Sequence, residues 1–188
     1  MDHLHVRIVL SAWIVSAASA FADIHYVNIN SVTPAAPYTN WVTAATNIQD
    51  AIDAATAGDT VLVSNGVYQT GTSVTPGGVA SNRVVINKAI TVQSVNGPSL
   101  TAIRGNAVLG TNAVRCVYLG PDAVLSGFTL TNGGTRADGD VFLNQSGGGV
   151  LGANNSSVVT NWVIDGNVAS SGGGASRGLI VNSIVRNN

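Results

Sequence analysis

Two copies of one pattern near the C-terminus constrain this chain more than anything else in it. Ser146-Gly147-Gly148-Gly149 precedes Val159-Thr160-Asn161-Trp162-Val163-Ile164-Asp165-Gly166-Asn167. Ser171-Gly172-Gly173-Gly174 precedes Ile180-Val181-Asn182-Ser183-Ile184-Val185-Arg186-Asn187-Asn188. The glycine triplets are offset by 172 − 147 = 25 positions and the Asn-anchored strands by 182 − 161 = 21. The difference fits an extra loop around Gly152-Ala153-Asn154-Asn155. A unit of this length is expected to hold one short strand with its turns; it cannot bury an apolar face alone and must stack on a neighbour. The chain therefore reads as part of an all-β solenoid.

The first residues have another role. Arg7 supplies a weak positive start, Ile8 to Ala18 is apolar or small, and Ala18-Ser19-Ala20 and Ala20-Phe21-Ala22 offer small-x-small cleavage sites before Asp23. This is the layout of a secretory signal over 1–22, with 23–188 as the folded domain, and the apolar run is short for a membrane span. No later segment is long and apolar enough to cross a bilayer as a helix, so no transmembrane span is expected in the mature chain. Export, to the medium or the cell surface (outer membrane), follows.

Cleavage after Ala22 leaves 188 − 22 = 166 residues, enough for one domain with a proper core. The mature part has no glutamate, a single lysine (Lys88) and a single histidine (His25), and its arginines with Lys88 nearly cancel its aspartates. It has no basic patch interleaved with aromatics, which argues against nucleic acid as a partner. Cys116 is the only cysteine, so no internal disulfide forms, and a buried, inert thiol is expected in the strand-like run Arg115-Cys116-Val117-Tyr118-Leu119.

His25-Tyr26-Val27-Asn28-Ile29 alternates like an opening strand, with Tyr26 or Val27 available to the core. Ser31 to Thr43 reads as a connector. Thr46-Asn47-Ile48-Gln49 has the form of a capping box, after which Ile48, Ala51, Ile52 and Ala55 share one helical face and Gly58 is placed to end the helix. Such a helix, ahead of many strands, can cover the open N-terminal end of a solenoid. Strand-turn units follow at Thr60–Val63 with Asn65-Gly66-Val67-Tyr68, at Val84–Ile86, at Ala89–Ser94, at Thr101–Gly105, around Cys116 and at Val124–Gly133. Phe128 and Leu130, Trp162 and Ile164, Ser183 and Val185 are the expected inward pairs. Asn132, Asn167 and Asn188 fall near turns, where side-chain amides can bond between stacked coils.

These residues carry two resemblances. Ile48-Gln49-Asp50-Ala51-Ile52 through Gly58-Asp59-Thr60-Val61 and Asn65-Gly66-Val67-Tyr68, then Ile90-Thr91-Val92 and Asn96-Gly97-Pro98, resemble the capped start of pectate-lyase-like right-handed parallel β-helix proteins. Gly148-Gly149-Val150 and Gly173-Gly174-Ala175 resemble the glycine element of the polymorphic outer-membrane proteins, a family of surface autotransporters. Ile164-Asp165-Gly166-Asn167 and Val185-Arg186-Asn187-Asn188 match that family's second element with an aliphatic residue in place of Phe. The resemblance implies a right-handed parallel β-helix with a short N-terminal α-helical cap, on a scaffold that carries both enzymes and adhesins.

Lyases of the first superfamily use calcium held by acidic residues with an Arg or Lys base. The local cluster available here is Arg136-Ala137-Asp138-Gly139-Asp140. Asp138 and Asp140 are candidate calcium ligands together with backbone carbonyls, Arg136 is a candidate contact for an anionic sugar, and a plain solvated loop is the alternative. Trp41, in the connector, is the candidate aromatic for a sugar ring, whereas Trp162 is expected in the core. Asp59 reads as a turn acceptor. The glycine triplets lack the Gly-Lys-Ser/Thr ending of a phosphate loop, and the absence of any histidine after His25 argues against a Ser-His-Asp arrangement. The favoured function is an exported, adhesin-like or polysaccharide-contacting module whose partner is an extracellular or cell-surface polysaccharide. The alternatives are a lyase or hydrolase acting on acidic polysaccharide, and a passive stalk. Because the sequence stops directly after a repeat, a longer solenoid is expected, with self-association through the final coil as a further expectation.

Overall fold

The computed structural model describes residues 22–188. The signal reading of residues 1–22 therefore lies, apart from Ala22, outside the described residues. Sixteen strands and one helix follow in the order β1 (Ile24–Val27), α1 (Ile48–Ala54), β2 (Thr60–Val63), β3 (Gly66–Tyr68), β4 (Ser73–Val74), β5 (Ser81–Ile86), β6 (Thr91–Ser94), β7 (Thr101–Arg104) and β8 (Val114–Leu119). Then come β9 (Val124–Ser126), β10 (Thr129–Thr131), β11 (Val150–Gly152), β12 (Val158–Thr160), β13 (Val163–Asp165), β14 (Ala175–Ser176), β15 (Leu179–Val181) and β16 (Ile184–Arg186).

The strands stack into three sheets. Sheet I runs β1-β2-β6-β9-β12-β15, sheet II β3-β7-β10-β13-β16 and sheet III β4-β5-β8-β11-β14. Every pairing is parallel except the short β4–β5 hairpin. Each coil gives one strand to each sheet in turn, which makes the molecule a parallel β-helix. The repeat is thus richer than the expected single strand: its 21 to 25 positions hold three short ones. The offsets read from the sequence are the pairing registers. Ile164 pairs with Val185, and Val150 with Ala175. The four extra residues fall in the 153–157 connection, as expected.

The repeating asparagines have a backbone reason. Gly127, Asn161 and Asn182 occupy the corner from sheet I to sheet II with φ of 81°, 58° and 48°, a left-handed conformation that Gly and Asn tolerate best. The next residue, Phe128 or Trp162, then points inward and is buried. The expected inward pairs Phe128 with Leu130 and Trp162 with Ile164 are buried, while Val185 is 52% exposed. The amides of Asn167 and Asn188 do bond between coils. Asn167 Oδ1 accepts from Gly133 N–H (2.7 Å) and its Nδ2 donates to Leu130 O (3.1 Å). One coil on, Asn188 repeats both contacts on Asn167 N–H and Ile164 O. Asn132, in a left-handed turn, also bonds to the adjacent coil: with its amide oriented so that Oδ1 faces Arg104, it accepts from that guanidinium (2.9 and 3.1 Å). At Gly148 a Cβ would run into the carbonyls of Val168 and Gly173, so the triplets are what lets adjacent coils close to ladder distance.

The N-terminal end differs in detail from the expected cap. β1 comes before α1 and forms the outer edge of sheet I, so strand and helix close the end together. Helix α1 buries Ile48, Ala51 and Ile52 against the core. Its cap is one residue later than the capping box predicts: Asn47 Oδ1 accepts from Asp50 N–H (2.9 Å) and Asn47 Nδ2 donates to Asp50 Oδ2 (2.6 Å). That shift frees Gln49, whose amide pairs with both N–H and C=O of Val85 (2.8 and 3.1 Å) and so extends the hydrogen bonding of β5. The helix stops at Ala54, before Gly58, because Lys88 Nζ takes the carbonyls of Ile52, Asp53 and Ala55.

Asp59 is the turn acceptor expected, and more. Its carboxylate accepts from Thr56 N–H, Thr56 Oγ1, Asp23 N–H and the ring of buried His25, which also faces Pro37 O. Burial opposes ionisation, but the Thr56 and Asp23 amides, the His25 ring and the Thr56 hydroxyl outweigh it and hold the carboxyl well below the usual range. A depressed folded-state value means stability that is present above the ordinary aspartate value of about 3.9 and is lost as pH falls below it. Asp59→Asn is expected to cost about 2–3 kcal/mol near neutrality, since an amide cannot accept at both positions. In urea unfolding at stepped pH, that difference should shrink below about pH 4; a difference that stays constant down to pH 2 would remove the ionised carboxylate from the account.

Candidate functional site

The corners of the solenoid are unequal. Sheet I to sheet II is a tight turn in the later coils, while the long connections leave from sheet II to sheet III: 69–80, 105–113, 132–149 and 166–174. Stacked on one flank, these loops form a lobe. Val79 N–H donates to Asn144 Oδ1 (2.9 Å), Gly110 N–H to Thr135 O (3.0 Å) and Arg136 N–H to Asn144 O (3.1 Å).

The residue that organises the lobe is Arg115, which in sequence stands out only as a member of its strand. Its guanidinium is fully buried and has no acid beside it. Nε donates to Ser146 O and Gly147 O, Nη1 to Thr75 Oγ1 and Asn82 Oδ1, and Nη2 to Leu143 O and Ser146 O, all within 2.7–3.1 Å. Burial pushes it down to about 10, with Cys116 and Tyr118 acting the other way, so it stays charged at neutral pH. One cation thereby ties β8 to the β4–β5 hairpin and to the loop that carries Arg136, Asp138 and Asp140.

Those three lie together on the lobe surface, but each is already engaged. Arg136 Nε and Nη2 donate to the two oxygens of Asp138 (2.9 and 3.1 Å), a bidentate pair in which Asp138 is 67% exposed. Asp140 Oδ1 accepts from Phe142 N–H (2.9 Å) and Leu143 N–H (2.8 Å), fixing the turn. The neighbouring Phe142 ring carries the Arg177 guanidinium 4.1 Å from its centroid. Calcium takes six to eight oxygens. Here it would compete with Arg136 for Asp138 and share Asp140 with two amides, so the arrangement as it stands does not fit the ion. Among the described residues no group of three or more His, Cys, Asp or Glu could hold a metal. Millimolar calcium is therefore expected to leave the melting temperature of the native chain unchanged; Arg136→Ala, which releases Asp138, is the variant in which a calcium-dependent rise should be sought.

Trp41 lies elsewhere, at the N-terminal part of the corner between sheets I and II. It is 43% exposed and packs edge-on against Tyr26 (centroids 4.6 Å, 64°). With Asn28, Ser64, Asn65, Val95 and Asn96 it lines an open cleft of about 350 Å³. Trp41 and Arg136 thus flank sheet II from its two sides and do not share a cleft. A second depression of about 270 Å³ lies between α1 and the 69–73 segment, where Asp50 is bonded to Asn47 and Asp53 to Gln49.

The remaining candidates are structural. Trp162 is core, donating Nε1–H to Leu125 O (2.9 Å). Tyr118 is buried between Val85 and Leu151 on the outside of sheet III. Cys116 is buried and pushed up to about 12 by burial, which keeps the thiol protonated and unreactive at neutral pH. No described helix is long and apolar enough to cross a membrane. Comparison of the chain with protein-family models, with curated proteins and with solved structures returned no match.

Proposed function

We propose that this chain is an exported β-helix module that contacts polysaccharide outside the cell or at its surface and does not transform it. The observation that carries the reading is the flank lobe. It is stiffened from within by Arg115 and displays Arg136, Phe142 and Arg177 outward, while the carboxylates beside them are held by a guanidinium and by backbone amides. A group that must take or give a proton has to be free to reach the reacting atom, and these are tied to their neighbours. Preformed loops on a stacked scaffold favour binding through several modest contacts instead. The secretory layout of residues 1–22 supports export, and the likeness of the glycine elements to surface autotransporters supports a surface location.

The test is retention of the full chain, expressed with its own leader and recovered from the culture, on insoluble polysaccharides, with parallel assay for new reducing ends and unsaturated sugars. Retention with no product is the expected result. Product that disappears on chelation of calcium or in Asp138→Ala would replace this reading with a lyase or hydrolase of acidic polysaccharide. Absence of retention on every polysaccharide would leave a passive stalk.

A further inference from the structure

The cleft at Trp41 has a chemistry of its own, and we infer that it is a subsite for an uncharged sugar ring, a neutral pyranoside within a longer glycan. The inference rests on the polysaccharide-contacting reading and names its ligand class. Three observations carry it.

First, the indole is preorganised. Tyr26 holds it from one side, and Asn40 Oδ1 accepts from the N–H groups of Val42 and Thr43 (both 3.0 Å), immediately after Trp41. Thr33 Oγ1 donates to Val42 O (2.9 Å), Ala35 N–H donates to Thr43 O (3.1 Å), and the loop returns to β1 through Asn28 N–H to Ala45 O (2.8 Å). An exposed tryptophan fixed in this way presents apolar surface to a ligand with little ordering left to do.

Second, the floor of the cleft is a short ladder of amides. Asn65 and Asn96 hold the same position after β2 and β6 in adjacent coils, about 4.8 Å apart as strands in a sheet are, and Asn28, after β1, lies one position earlier, opposite Ser64. Asn96 Nδ2 donates to Asn65 Oδ1 (2.9 Å), and Asn28 Oδ1 accepts from Asn30 N–H (3.0 Å). Asn28 Nδ2, Asn65 Nδ2 and Asn96 Oδ1 have no partner among the described residues. Donors and acceptors both stand free, side by side, which suits hydroxyl groups that act as either. An apolar plate beside such a row is complementary to a pyranose, which has C–H faces and a hydroxylated rim.

Third, no charged side chain lines the cleft. A uronic acid's carboxylate would lose water there and find neither Arg nor Lys, a penalty that discriminates against acidic sugars. The volume of about 350 Å³ lies at the low end for small-molecule sites, enough for one ring with its neighbours outside.

The experiment is titration of the full secreted chain, by calorimetry and by amide NMR, with soluble hexasaccharides of neutral sugars (glucan, mannan, galactan, xylan) and with hexagalacturonate. At least one neutral hexasaccharide is expected to bind with a Kd of about 1 mM, and at least about tenfold more tightly than hexagalacturonate. Trp41→Ala should weaken it about tenfold or more; Asn65→Ala, an exposed change that leaves the fold untouched, should weaken it several-fold; Arg136→Ala should leave it alone. Tighter binding of hexagalacturonate, or neutral binding that survives both Trp41→Ala and Asn65→Ala, would overturn the subsite while the polysaccharide-contacting reading stands. Failure of every hexasaccharide to bind at millimolar concentration would overturn both.

Discussion

Arg115→Met should destabilise the protein by about 3–5 kcal/mol, although methionine keeps much of the stem. The variant removes the guanidinium from five buried or half-buried acceptors: the carbonyls of Leu143, Ser146 and Gly147, Thr75 Oγ1 and Asn82 Oδ1. Each acceptor left dry costs about 1–3 kcal/mol, and entry of water with local relaxation recovers part of the sum. Asn82 and Thr75 retain their mutual bond (2.9 Å), so the hairpin side suffers least. The loop side has nothing comparable, and hydrogen exchange should locate the damage there, at the amides of Val79, Arg136 and Asn144. Arg115→Lys should fall between, because a single ammonium has three donors and cannot span both sides. Urea unfolding checks the magnitude; a loss under about 1 kcal/mol would mean that the lobe holds together without its central cation.

Trp162→Ala is expected to cost about 3–5 kcal/mol, the range for emptying a large aromatic site in a packed core. Trp162 is 1% exposed and stacks one coil above Phe128, with ring centroids 6.0 Å apart and planes at 54°. Coils on both sides fix the walls by backbone ladders, so the cavity cannot collapse as it might between two helices. Trp162→Phe restores most of the volume and leaves Leu125 O without the indole donor, for an expected loss of about 1–2 kcal/mol. Thermal or urea unfolding of the pair separates packing from hydrogen bonding: equal losses in the two variants would contradict this division.

How much of this was legible depended on where in the chain one looked. In the C-terminal coils the triplets and the Asn-anchored strands announce their own register, since Val150 over Ala175 and Ile164 over Val185 are the pairs the repeat predicts. Toward the N-terminus the same coils carry no visible period. Aligned positions in sheet I are separated by 92 − 61 = 31, 125 − 92 = 33, 159 − 125 = 34 and then 180 − 159 = 21 residues. Loops of unequal length, longest at the corner from sheet II to sheet III, blur the repeat without disturbing the strands.

The site was less legible than the fold. The run Arg136 to Asp140 stands out in sequence because it concentrates charge in a chain with little, yet its internal pairing depends on rotamers and turns. Asp138 faces Arg136 and Asp140 turns back on its own backbone, and neither choice is implied by an i, i+2 spacing. Trp41 was recognisable as an exposed aromatic in a connector. Its companions Asn28, Asn65 and Asn96 were not, because residues about one coil apart become neighbours only once the coils stack. Arg115 is the extreme case: an arginine inside an apolar strand run has no signature of burial, and its partners Thr75, Asn82 and Ser146 lie 40, 33 and 31 positions away.

By itself, then, the sequence determined the class of architecture, the glycine triplets and Asn-anchored strands of its C-terminal coils and the inward set at Phe128, Leu130, Trp162 and Ile164, because these rest on local backbone preference and on a repeat that must stack to bury anything. Tertiary structure alone decided that each coil holds three strands, that β1 joins α1 in closing the N-terminal end, that one buried guanidinium gathers the flank loops, and that amides from neighbouring coils gather beside Trp41. The physical reason is common to all four. They are contacts between coils, made by side chains whose neighbours are set by the pitch of the solenoid and not by their distance along the chain.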